Sequence, residues 1–298
     1  MKPIEILPNL LRKNKVLQAK KIYIVLGEVR VVKKVMLTIQ DQTTLLLVNG
    51  VFPKSRLKRS ALIFEQGSQL KAGRVHLKAA DANFKPVKLA DNGGLWLLGN
   101  YADASKDGIS IKTNRKNPLS KFTARSITTR YLGRADNDLS PRAGKRLTTG
   151  DDIDGFSVLG VGPTEWSIDA VASHHSADDG VDFTNSHVRL MRLEVKAPTE
   201  DGINLSSSRL EIHRSLNIEI KKTNITDRDL VDLETDDGAS YLELHRGCWV
   251  RLLGVFGDQV VLSSKQMPVP NTKDDNEKVY QFSGQLKQAA LIYSIDED

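Results

Sequence analysis

Leu216-Asn217-Ile218-Glu219-Ile220-Lys221 alternates apolar and polar residues without a break. Successive side chains of an extended chain point to opposite faces, so this pattern reads as a β-strand with one face in a core and one in water. Met191-Arg192-Leu193-Glu194-Val195-Lys196 repeats it, and Val35, Leu37 and Ile39 alternate with Met36, Thr38 and Gln40. Leu210-Glu211-Ile212-His213 and Leu242-Glu243-Leu244-His245 are shorter examples. Residues 22–26, 45–48, 95–98 and 260–262 are apolar throughout and read as strands buried on both faces. Gly257-Asp258 between Val255-Phe256 and Gln259-Val260 reads as a hairpin turn. Helical periodicity is thin. Residues 9–20, 226–234 and 284–291 are the candidates, none longer than about four turns. No repeat of fixed period emerges. The expectation is an all-β or mainly β protein of antiparallel sandwiches or small barrels, with few short helices.

At 298 residues the chain has room for two domains. The expected division is a basic β-rich domain over 1–133, a polar linker or arm-like loop over 134–155, and an acidic β-rich domain over 156–298. Residues 134–155 are rich in Gly, Asp and Thr, with one Pro and few large apolar residues, which disfavours regular structure. Two further polar excursions cover 100–121 and 268–277. Apolar residues make up 40% and charged residues 27%, which excludes wholesale disorder. No apolar run reaches the roughly 18 residues of a transmembrane helix, so no membrane insertion is expected. The N-terminal Met1-Lys2-Pro3-Ile4-Glu5 is expected to carry no signal peptide.

The formal net charge of +6 hides a split. Residues 1–150 hold 29 Lys+Arg against 10 Asp+Glu, a balance of +19, and residues 151–298 hold 14 against 27, a balance of −13. Such asymmetry points to nucleic-acid contact or charge-matched assembly. The densest basic cluster is Lys54, Arg56, Lys58 and Arg59, beside Val51-Phe52-Pro53. With Arg142, Lys145 and Arg146 it is the expected contact for a partner or nucleic acid. Asp151, Asp152 and Asp154 are the expected acidic partner contact.

The familiar chemical motifs fail at named positions. Gly144-Lys145 lacks a Gly five residues before it and is followed by Arg146, so it is no phosphate loop. Asp152-Ile153-Asp154-Gly155 would put Gly150 and Val161 at the first and twelfth positions of a calcium loop, where oxygen ligands belong. Asp179-Gly180 and Asp237-Gly238 fail the same test. Among six histidines, only His174-His175 are clustered in sequence, and they read as a polar turn rather than a metal site. Cys248, the single cysteine, rules out an intrachain disulfide and reads as a small buried hydrophobe. No Gly-x-Ser-x-Gly elbow occurs. The chain is therefore expected to be no enzyme, with no cofactor and no small-molecule substrate.

In its β-rich halves, its long polar loop at 134–155 and its missing catalytic motifs, the chain resembles structural proteins of tailed bacteriophages, those of tail, baseplate, neck or head. The resemblance implies a virion subunit assembled in the host cytoplasm. Its partners would be copies of itself and other structural proteins, joined basic pole to acidic pole. It carries over no functional residues. The alternatives are a nonspecific nucleic-acid-binding protein using the basic half, and a β-fold hydrolase with dispersed carboxylates.

Overall fold

The computed structural model describes residues 2–134, 153–220, 229–256, 260–267 and 279–294. These residues form strands and turns and no helix. The helix expected over 9–20 is replaced by the strands Leu10–Leu11 and Lys15–Leu17. Leu11 and Leu17 enter the core while Val16 is 54% exposed, so period 2 wins there over a weak helical stripe. The other two helical candidates contribute to the strands Asp232–Glu234, Tyr280–Gln285 and Ala290–Ser294.

The strands stack as a parallel β-solenoid with three faces. The first face is an eight-stranded sheet: Leu10–Leu11, Glu28–Val31, Ala61–Phe64, Leu95–Leu98, Phe156–Leu159, Val181–Thr184, Ile203–Ser206 and Asp232–Glu234, each parallel to the next. The other two faces belong to a sixteen-stranded sheet. Its long strands Gln69–Ala80, Lys121–Arg130, His187–Lys196 and Arg209–Glu219 run through both faces. In other coils the same path is broken in two, as Trp166–Ile168 followed by Ala170–His174.

Pairing thus corrects the antiparallel expectation. Antiparallel strand pairs among the described residues are confined to the hairpin Ala104–Lys106 with Ile109–Ile111 and to the last strands. The alternation that suggested antiparallel sheets has another cause. In a solenoid every strand sends one set of side chains into a shared interior and the other outward, so a half-wet strand needs no antiparallel neighbour. The stack also runs directly past 134–155. Leu95–Leu98 pairs with Phe156–Leu159, and Ile127 to Arg130 pair with Val171 to His174. One interior cluster extends from Leu7 to Ile292.

The first face is covered on its outer side as well. Trp96, Leu98, Ile63 and Leu159 point outward from it, yet are buried with Ile109 and Ile111 of the hairpin and Ile153. This is why residues 95–98 are apolar at every position, as their sequence led one to expect.

Candidate functional site

The basic cluster at 54–59 is only half available to a partner. Lys54 and Lys58 are exposed. Arg56 Nε lies 3.1 Å from Glu28 Oε1, and another of its nitrogens lies 2.9 Å from Glu65 Oε1. Arg59 is buried, with Nε 2.8 Å from Asp91 Oδ1. Arg142, Lys145, Arg146, Asp151 and Asp152 lie outside the described residues, as do most of the 134–155 loop, the expected turn at 257–258 and all of 268–277. Asp154, expected as a surface contact, is instead fully buried. It opens an Asp-Gly turn that feeds the first face, which draws it under the hairpin.

That turn recurs. Asp154-Gly155, Asp179-Gly180 and Asp201-Gly202 each precede a strand of the first face, and Asp229-Leu230 takes the same place in the next coil. The aspartates tie coil to coil: Asp201 N donates to Asp179 Oδ1 at 3.1 Å, and Asp229 N donates to Asp201 Oδ1. Glycine follows because the backbone of the neighbouring coil comes too close for a Cβ. At Gly202 a Cβ would lie 2.6 Å from Ile218 Cγ2 and from the Leu230 carbonyl.

The result is an acidic seam. Asp154, Asp178, Asp179 and Asp182 are all buried, next to Glu200 and Asp201. One cation reaches in: Lys106, from the hairpin, places Nζ 2.6 Å from Asp182 Oδ2 and 3.0 Å from Asp154 Oδ2. Burial lowers the affinity of Lys106 for its proton, but Asp154 and Asp182 outweigh it and hold the ammonium charged. Burial, then neighbouring carboxylates, push Asp178 and Asp179 far up, which favours their protonated forms. Burial also raises Asp182 to about 7, held down by Lys106, and Asp201 to about 8, held down by the Asp229 N–H. The acidic half therefore presents less charge than its formal −13.

A second set of side chains faces solvent. At the corner between the two faces of the large sheet, Arg125, Asp169, Arg192 and Arg214 come from successive coils about 4.8 Å apart. Together with Ala170 and Met191 they line a groove of about 380 Å³. A register shift between Leu190 and Arg192 turns the chain there. Among the described residues none of these three arginines has an ion-pair partner, whereas the preceding corner residue, Arg74, is clasped by Asp41. Ser215, next to Arg214, pairs with Trp249, which is 53% exposed. The groove thus gathers three guanidinium groups and one carboxylate, with Trp249 exposed on the coil that follows. No local motif marks it, because its members are 67 and 22 residues apart, at 125, 192 and 214.

His174 and His175 do not converge. His174 Nε2 lies 2.7 Å from Glu194 Oε1, while His175 stacks on Tyr131 with centroids 4.8 Å apart. Cys248 is buried, and burial pushes its thiol up to about 11, away from nucleophilic chemistry. Three groups among the described residues have ligand atoms close enough to share an ion: Asp154 with Asp179 and Asp182, Asp178 with Asp179 and Glu200, and Glu211 with His213 and His245. Each group is completed by a residue from another coil (Asp154, Glu200 and His245 respectively), so no local motif marks any of them. No family model, no curated protein and no solved structure matches the chain.

Proposed function

We propose that the chain is a non-catalytic structural rod that joins a larger assembly by gripping a linear polyanion along its arginine groove. The observation that carries this reading is the set Arg125, Arg192 and Arg214, exposed and, among the described residues, without ion-pair partners, around one groove. Three arginines on neighbouring coils around one open groove suit an extended anionic polymer better than a compact ligand. Trp249 adds a flat surface for a base or a sugar ring. A solenoid also converts order in sequence into position along its axis. The +19 and −13 halves then lie toward opposite ends, which favours encounter with charged partners end-on.

Single-stranded DNA and a linear polyuronate are the probes. Binding of either at low salt, weakened by Arg125→Ser, Arg192→Ser and Arg214→Ser together, is the expected result, and the probe that binds identifies the polymer class. Failure of both probes to bind the native chain overturns the reading.

Head-to-tail joining of copies is a second reading, favoured by the same axial split. It predicts a mass by light scattering that falls as salt rises. A hydrolase built on the seam would have to lift the Lys106 hairpin, since Asp154 and Asp182 are fully buried beneath it.

A further inference from the structure

Glu211 stands on the outer side of the strand Arg209–Glu219, and three histidines close on it. His213 lies two residues on, on the same face. His245 comes from the next coil, beside His213, because Ile212 pairs with Leu244. His213 Nε2 and His245 Nε2 each lie 3.5 Å from the same oxygen, Glu211 Oε2. That is too long for a hydrogen bond of any strength, and both ring nitrogens are buried without a hydrogen-bond partner among the described residues. The rings stack with centroids 3.7 Å apart and an angle of 25° between their planes. His187 Nε2 holds the other oxygen, Glu211 Oε1, at 3.0 Å.

We propose that Glu211, His213 and His245 form a site for a transition-metal dication of the zinc or cobalt class, one ligand atom from each, with a fourth position open to solvent. Metal bonds of about 2.0–2.2 Å in a tetrahedron set neighbouring ligand atoms roughly 3.4 Å apart. The two 3.5 Å separations therefore fit the edges of such a shell, while they fit no hydrogen bond. Two imidazoles and one carboxylate select a borderline metal over calcium or magnesium. His187 orients the carboxylate from behind, as outer partners of metal ligands do. Arg209 approaches the same carboxylate on its other oxygen, its Nε 3.9 Å from Oε1.

The test is titration of the purified full chain with Co2+ at neutral pH, read by its visible absorption and by calorimetry. One equivalent should bind with the intense bands of a four-coordinate ion, and Zn2+ should displace it. His213→Ala and His245→Ala should each weaken binding by at least about tenfold, and His187→Ala by about tenfold through lost orientation. His174→Ala should leave binding unchanged. Circular dichroism of each variant separates lost ligands from lost fold. Absence of stoichiometric uptake, uptake that survives the double change His213→Ala with His245→Ala, or equal loss in His174→Ala overturns the proposal.

Discussion

Lys106 Nζ lies 2.6 Å from Asp182 Oδ2, joining a hairpin to a strand 76 residues further along the chain. Asp182 is fully buried and the Lys106 side chain only 22% exposed, and the equally buried Asp154 shares the same ammonium at 3.0 Å. Removing one member of a buried ion pair leaves an uncompensated charge, which typically costs about 3–5 kcal/mol. Lys106→Met should therefore destabilise the fold by about that much in denaturant titration. Adding Asp182→Asn to that variant should recover part of the loss, and a Lys106→Met change under about 1 kcal/mol would mean that the latch carries little stability.

The seam also fixes a pH dependence. Asp182 and Asp201 are raised to about 7 and about 8 by burial, whereas an unfolded aspartate titrates near about 3.9. Between those limits the folded chain binds more protons than the unfolded one, so stability falls as pH rises. The contribution is fully present below about pH 4 and is lost through about pH 8. Asp41 and Asp103, held low by Arg74 and by the Thr113 backbone N–H, act in the opposite sense at the acid end and lose their contribution as they protonate. Melting temperatures at pH 5, 7 and 8.5 should decline in that order, and a rise across the series would contradict the buried seam.

Cys248 should react slowly with thiol reagents. Its side chain is buried and its thiol is raised to about 11, so both access and thiolate are scarce. Labelling should accelerate sharply at the unfolding midpoint in urea, and fast labelling of the native chain would place Cys248 on a surface.

Gly202 packs under Ile218 and the Leu230 carbonyl of the next coil. Gly202→Ala forces these apart, with overpacking costs of about 1–3 kcal/mol. Gly238→Ala, where a Cβ meets nothing within 4 Å, keeps φ at +153° as its only obstacle and should lose less. Comparable losses at the two positions would argue against close coil contact at Gly202.

The individual strands were legible in the sequence, and their stacking was not. Leu216 to Glu219 and Leu193 to Lys196 alternate as they do because each strand has one dry and one wet face. Period 2 does not say whether the neighbouring strand runs parallel. A recurring Asp-Gly-apolar-polar-apolar pattern does say so, at Asp154 to Val158, Asp179 to Phe183 and Asp201 to Leu205. It was hidden by uneven coils: Leu95 pairs with Phe156, 61 residues on, but Val181 pairs with Ile203, 22 residues on. Hairpin and loop insertions between strands destroy a fixed period while leaving the register intact. The same spacing scattered the arginine groove and the Glu211, His213 and His245 group, each assembled from neighbouring coils. Arg59 went the other way. It looked like part of a surface patch and is buried on Asp91, because Leu57 and Ala61 beside it belong to the outer core of the first face.

The most direct measurement of the proposed role is the salt dependence of polyanion binding by the native chain and by the Arg125→Ser, Arg192→Ser, Arg214→Ser variant. With single-stranded DNA each phosphate contact contributes about 0.7 to the slope of log affinity against log salt. Loss of three contacts should flatten the slope by about 2 and weaken binding at every salt concentration. An unchanged slope and affinity in the variant would contradict the groove as the gripping surface and with it the central claim.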